Sequence, residues 1–263
     1  MTKAAQRGLW CVSLFLSPCT LYLVPQMTRR RWIADQVLGD RAFLTGSHAS
    51  RLARVLRASA GQEFDIATGT GVRRGRIVNV SDDLVEFELG ETVAVRTLRP
   101  IRIVLAIFKF DRLEWAIEKC TELGVSEIIP VIARRTDSHL AAAALKRVAR
   151  WRRIAHEASQ QSRRASPPMI AEPGKLKQYL ASEQASQRIV LAENEEQNLL
   201  RGLAAGDTEV VLAIGPEGGW TEEELQLFAV SGWRSASLGD TVLRAETAAI
   251  ASVAIVAALS TID

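Results

Sequence analysis

The sequence predicts an α/β protein in two unequal parts, a small β-barrel or sandwich followed by a larger domain built on a parallel sheet. Two observations carry this. Short β segments punctuated by turn residues fill the chain up to about residue 99, and beyond it the pattern changes to strand, helix, strand, the signature of a βαβ unit. The 263 residues, 48% hydrophobic and 24% charged, are enough to give both parts a core.

The elements follow in order. A short helix is expected at 50–58, with Leu52, Val55 and Leu56 on one face, Arg51, Arg54 and Arg57 elsewhere, and Gly61 closing it. Strands are expected at 63–68, 72–80 and 84–89, separated by Gly69-Thr70-Gly71 and Ser81-Asp82-Asp83. Leu98-Arg99-Pro100 is the natural hinge. An apolar run at 101–108, a helix with Leu113, Ala116, Ile117, Cys120 and Leu123 on one face, and a strand at 125–132 make up the βαβ unit. Asp111 is placed to cap that helix and Gly124 to end it. A long helix at 141–161 precedes the break at Ser166-Pro167-Pro168, and strands return at 189–192 and 210–214. The last helix, 245–260, is rich in Ala and apolar on nearly every side, so it calls for cover all round, most easily from a second copy of the chain.

The net formal charge of +3 is too small to announce a nucleic-acid binder. Its distribution is more telling. Between Arg134 and Arg164 nine Arg or Lys stand against Asp137 and Glu157, seven net positive charges in 31 residues. Such a one-signed run beside a pocket reads as a surface that tracks phosphates, with Arg134, Arg135, Arg150, Arg152, Arg153, Arg163 and Arg164 as its members. Arg31, Arg51, Arg54 and Arg57 extend it across the first part.

Cys11, Cys19 and Cys120 match neither a zinc site nor a disulfide framework, which fits a reducing, cytoplasmic compartment. His48, His139 and His156 share no ligand spacing, so no metal is expected. Trp32, Trp115, Trp151, Trp220 and Trp233 read as core or rim residues more readily than as stacking platforms for a base. Lys3 and Arg7 precede an apolar run at 9–24 with the outline of a signal peptide. Pro18 interrupts the run, no small-x-small cleavage site follows, and its 16 residues are too few for a membrane span. Residues 1–26 are therefore expected to be an extension outside the fold, with Met27 as the functional beginning; an exported protein is the alternative.

Two segments carry the chemistry. Ile214-Gly215-Pro216-Glu217-Gly218-Gly219-Trp220-Thr221 runs from a strand end through a glycine loop into a helix that Thr221 and Glu224 begin with a capping box. Glycines there let backbone amides approach a ligand. The spacing is neither Gly-x-Gly-x-x-Gly nor a P-loop, so dinucleotide and P-loop readings lose ground. Leu238-Gly239-Asp240-Thr241-Val242-Leu243-Arg244-Ala245-Glu246 is again a strand end, a turn and a helix start. Two such loops at neighbouring C-terminal strand ends form one crevice, the usual ligand position in an open α/β sheet.

Together these segments resemble the SPOUT methyltransferases, specifically the bacterial 16S ribosomal RNA uridine N3-methyltransferase family. The stretches HASRLARVLR (48–57), KCTELGV (119–125) and RWRRIAHEASQQSRR (150–164) are similar to the same family's other signatures, in the right order. The resemblance covers about residue 29 to the C-terminus. It implies a PUA-like RNA-binding β-barrel at 27–98 and a methyltransferase domain at 99–263 whose chain forms a trefoil knot. Periodicity alone argues for an ordinary doubly wound sheet, because threaded topologies are rare.

The resemblance further implies a homodimer acting on 16S ribosomal RNA or the 30S subunit, no membrane, and S-adenosyl-L-methionine as cofactor. That cofactor would touch Leu191, Ile214, Gly215, Gly219, Leu238 and Leu243 around its adenosine, with Pro216, Glu217, Gly218, Gly239, Val242 and Arg244 in the same loops. Glu217 reads as a brace rather than a catalyst. Uridine N3 carries a proton at neutral pH, so the site must favour the anion with a base or a cation. Arg244 is the candidate cation, helped by Arg31, and Glu246 is the alternative base if it is buried. Two other readings compete: a SPOUT methyltransferase for a different RNA position, and a non-catalytic ribosome-assembly protein that binds RNA.

Overall fold

The computed structural model describes residues 31–95, 99–204, 206 and 208–259, so the extension at 1–26, Leu98 of the hinge and Ser260 lie outside the described residues. Strands β1 (Arg31–Ile33), β2 (Gln36–Leu38), β3 (Arg41–Thr45), β4 (Glu63–Ala67), β5 (Val72–Val80) and β6 (Leu84–Thr92) form one sheet in the order β1-β4-β5-β6-β3-β2. Only the β1–β4 pair is parallel. The alternation that placed β4 to β6 is plain in burial: Val85, Phe87 and Leu89 point into a core with Ile66, Ile77, Leu44 and Leu52 while their neighbours face out. The strands β1 to β3 escaped the sequence reading, because each has only three to five residues, too few to show an alternation.

The first helix differs from expectation. It runs as α1 (Gly46–Ser50) into one π-helical turn, Arg51–Val55, and ends where Arg57 turns to positive φ, not at Gly61. Of the three expected core residues only Leu52 is buried, and Val55 is exposed, because the wider turn shifts the inward face.

The second part holds β7 (Ile101–Ala106), α2 (Phe110–Glu122), β8 (Glu127–Ile132), α3 (Ser138–Gln161), β9 (Met169–Ile170), β10 (Gly174–Lys175), α4 (Leu176–Ser182), β11 (Gln187–Leu191), α5 (Leu200–Leu203), β12 (Val210–Ile214), α6 (Glu222–Val230), β13 (Arg234–Ala236) and α7 (Ala245–Leu259). All its strands pair in parallel, in the order β10-β8-β7-β12-β11-β13 with β9 beside β8. Parallel sheets are buried on both faces. Here Ile101, Ile103 and Leu105 pack under α2, α3 and α7, while Val104 and Ala106 meet α4, α6, Trp220 and Trp233 on the other side. Asp111 lies in the first turn of α2 rather than at its cap, which is Lys109. Cys120 is fully buried on that helix, and burial pushes its thiol up to about 12, so it is inert.

Arg99 anchors the entry to β7 by donating to the Thr208 and Ala204 carbonyls and to Gln187. The two parts meet along α3. Arg31 donates to the Arg163 carbonyl at 2.6 Å, the His48 and His156 rings stack 5.1 Å apart, and Ala165 packs on Ile33, Ala67 and Val72.

Candidate active site

A cavity of about 390 Å³ opens at the C-terminal ends of the central parallel strands. The two glycine-bearing loops do not leave neighbouring strands, because β11 lies between β12 and β13. The segment after β11 thus forms a third wall, with Leu191, Ala192, Glu193 and Asn194 facing the other two.

From the β12 loop come Ile214, Gly215, Pro216, Glu217, Gly219 and Trp220. Gly219 turns the chain at φ +70°, a conformation other residues rarely hold, and its N–H donates to the Pro216 carbonyl at 2.8 Å. A Cβ on Gly215 would stand 3.3 Å from Trp220 Nε1 and 3.4 Å from the Gly219 carbonyl carbon, so a side chain there would press on the loop as it closes on itself. The expected capping box is present: Thr221 accepts from the Glu224 amide and the Glu224 carboxylate accepts from the Thr221 amide. Arg135 reaches under the loop to the Gly218 and Trp220 carbonyls.

From the β13 loop come Leu238, Gly239, Asp240, Thr241, Val242 and Leu243, followed by Ala245 and Ala248 of α7. Among the described residues, no backbone N–H of 238–243 makes a hydrogen bond, although the chain is pinned just before by Ser237 N–H to the Asn198 carbonyl at 2.8 Å. A run of unpaired amides facing a cavity is an acceptor-binding surface. The walls combine apolar Leu191, Ile214, Leu238 and Leu243 with Glu193, Glu217, Glu222 and Asp240, against the single cation Arg135. This suits a ligand with a flat apolar body, polar edges and net positive charge.

A charged triad lies beside the cavity. Arg112 of α2 donates to Glu217 at 2.7 Å and stands 3.7 Å from Glu246, with Lys109 3.9 Å from Glu217. Glu246 is 4% exposed, and its Oε2 is buried with no partner among the described residues. Gly218 and Arg244 do not line the cavity; Arg244 is exposed at its rim, between Leu243 and Ala245 that do. Arg31 lies elsewhere. Its partner Arg163 adjoins Arg164, which donates to the Thr121 carbonyl at the far end of α2, about 13 Å along the helix from Arg112. Arg31 therefore does not meet Arg244 within one chain.

A family model described as an RNA methyltransferase domain matches residues 96–257. The chain is 32% identical over 233 residues to the ribosomal RNA small subunit methyltransferase E of Synechocystis, covering 86% of this chain and 75% of that one. The chain belongs to the RNA methyltransferase domain family. The Bacillus subtilis member, of the same name, is 30% identical over 78% of this chain and 85% of its own. Among solved structures, the Neisseria gonorrhoeae ribosomal RNA small subunit methyltransferase E bound to S-adenosyl methionine superposes with a TM-score of 0.74 at 27% identity, covering 86% of this chain and 95% of that one. A Legionella pneumophila protein with bound SAM gives 0.75 at 26%, covering 88% and 98%.

Within this family member the expected arginine surface divides. Arg164 is half-buried and holds the Thr121 and Ser166 carbonyls, Arg152 holds the Ile170 carbonyl, and Arg135 holds the glycine loop, so these three engage carbonyls of the chain itself. Burial depresses the Arg164 guanidinium relative to its ordinary value. Arg150 pairs with Glu114 at 2.8 Å, Arg153 lies 3.8 Å from Glu157, and Arg54 pairs with Asp82 at 2.6 Å, all on the surface. Arg134 and Arg57 are exposed. The sequence reading left Glu193, Asn194 and Glu222 out of the site; their signal is position just beyond a parallel strand end or at the start of the helix after the glycine loop, while Trp220 and Thr241, inside the two quoted loops, also line the cavity.

Proposed function

We propose that this chain transfers a methyl group from S-adenosyl-L-methionine to N3 of a uridine in 16S ribosomal RNA, near the decoding centre of the small subunit. The observation that carries the reading is the cavity at three parallel strand ends, walled by the unpaired amides of 238–243 and the closed glycine loop. The residues fit the cofactor: apolar side chains for adenine, amides for its polar edges, and carboxylates for its cationic sulfonium and amino groups. When bound, the cofactor supplies an electrophilic methyl group.

The chain's own residues do the rest. Uridine N3 becomes nucleophilic on losing its proton to solvent, and the negative charge then spreads onto the flanking carbonyl oxygens. We assign such an oxyanion to Arg244, exposed at the rim, whose planar guanidinium offers a fork of donors. Bound in this cavity, S-adenosyl-L-methionine would supply the methyl group to that N3, with its sulfur as the leaving group. Glu246, buried against Arg112, holds that arginine on Glu217 and so braces the loop.

The segment entering α7 supports the trefoil knot, since the Leu200 amide donates to the Ser237 carbonyl and the Ser237 amide to that of Asn198, laying 237–243 across the loop after β11. The six-stranded N-terminal sheet is read as the PUA-like barrel. A homodimer is supported by α7, whose Ala248, Ile250 and Ile255 stay half-exposed, although Val253 and Val256 are covered within the chain. Ribosomal RNA as substrate places the enzyme in the cytoplasm. The test is transfer of labelled methyl from S-adenosylmethionine to small subunits lacking the modification; incorporation is expected, and its absence with intact calorimetric cofactor binding contradicts the reading.

A further inference from the structure

The junction between the two parts holds a second cavity, of about 400 Å³, at the opposite end of α2 from the first. Arg31, Trp32, Arg51, Val55, Leu56, Gln160, Gln161 and Arg163 line it, three arginines and no acid. Three N–H donors of this lining, Arg31 Nε, Trp32 Nε1 and Gln160 Nε2, are buried with no partner among the described residues. Trp32 is only 5% exposed. Among the described residues Trp151, Trp220 and Trp233 also bury an unpaired Nε1, but neither the first cavity, lined by Trp220, nor the cavity lined by Trp233 holds another such donor.

Leaving a buried donor unpaired costs about 1–3 kcal/mol, so three in one cleft point to a ligand rich in acceptors. The cleft is also built to a shape. Arg31 is fixed by its 2.6 Å bond to the Arg163 carbonyl, and the π-helical turn pushes Val55 outward, so that Val55, Leu56 and Trp32 give the cleft an apolar side. Apolar surface for a base beside guanidinium groups for a phosphate is the pattern that holds single-stranded nucleic acid.

We infer that this junction cleft seats one unpaired nucleotide of the ribosomal RNA, its base against Trp32, Val55 and Leu56 and its phosphate on Arg51 and Arg31, away from the acceptor uridine. The inference rests on the RNA-substrate reading above. Its role is register: a nucleotide held between the two parts fixes which uridine reaches the cofactor cavity.

The experiment uses the full chain and fluorescently labelled, deproteinised 16S ribosomal RNA. Arg51→Glu is expected to weaken binding about tenfold, since it reverses a phosphate contact. Gln160→Leu, which alters no charge, is expected to weaken it about threefold. Arg76→Glu makes the same charge change at an exposed site outside the cleft and is expected to do so by less than about twofold. With 4-thiouridine in the RNA, crosslinks are expected on peptides containing Trp32, residues 51–56 or residues 160–163. Losses in Arg51→Glu and Gln160→Leu no larger than in Arg76→Glu, or crosslinks confined to other peptides, overturn the inference. So does crosslinking of those peptides to a ribosomal protein instead of RNA on assembled subunits. Cofactor affinity is measured in parallel: a wild-type chain that binds no S-adenosylmethionine refutes the catalytic reading while the RNA affinities still decide the cleft.

Discussion

The Arg112 guanidinium on α2 donates to the Glu217 carboxylate of the glycine loop at 2.7 Å, tying a helix of one sheet face to a wall of the cavity at the strand ends. Both side chains are about a third exposed, so the bond is worth about 1 kcal/mol after solvent screening. Arg112→Ala is expected to lower S-adenosylmethionine affinity about fivefold, measured by calorimetry, with a small change in thermal midpoint. Unchanged affinity would show that the loop holds its shape without this tie.

Arg135 belongs to a charge run that reads as RNA-binding, yet its side chain holds the Gly218 and Trp220 carbonyls. Arg135→Ala should therefore weaken cofactor binding severalfold and leave affinity for ribosomal RNA nearly constant. The reverse pattern would return Arg135 to the RNA surface.

The four longer strands of the second part, β7, β8, β11 and β12, its sheet type and the capped helix after the glycine loop were legible, because periodicity and turn chemistry are local properties, whereas the two-residue strands β9 and β10 were not. Ten of the twelve residues that the family resemblance assigns to the cofactor line the cavity. Strand order is not local. That β11 separates β12 from β13, and so brings Glu193 and Asn194 to the site, depends on tertiary pairing that no single segment encodes. The arginines show the same limit: their spacing says that they are basic, but which of them grip carbonyls, as Arg152 and Arg164 do, is set by neighbours far along the chain.

His156 gives a pH dependence. Burial first, and the stacked His48 second, hold its imidazole below the usual range, while Asp35 and Glu157 oppose them weakly. A depressed folded value means that its contribution is fully present above the unfolded pKa of about 6.5 and is lost as pH falls through the lower folded value. The urea midpoint is expected to fall between neutral pH and about pH 5, and His156→Gln to flatten that fall. Identical pH profiles for both chains would assign the loss to other groups.

Arg244 stands at the rim without lining the cavity, so its account is catalytic rather than cofactor-binding. Arg244→Ala should reduce single-turnover methyl transfer about a hundredfold while cofactor affinity stays within about twofold. The wild-type rate should climb through mildly alkaline pH as uridine ionises. Near wild-type turnover in the variant would turn attention to Glu246, whose Oε2 is buried with no partner among the described residues.

The central claim concerns the atom that is methylated. A methyl on uridine N3 blocks Watson–Crick pairing, so reverse transcription stops at the modified base and mass spectrometry of the nucleosides identifies the isomer. Small subunits lacking the modification, incubated with this chain and S-adenosylmethionine, are predicted to gain one strong stop and one N3-methyluridine per 16S ribosomal RNA. Methylation of a ribose, of another base, or of many uridines without a dominant stop would contradict the account.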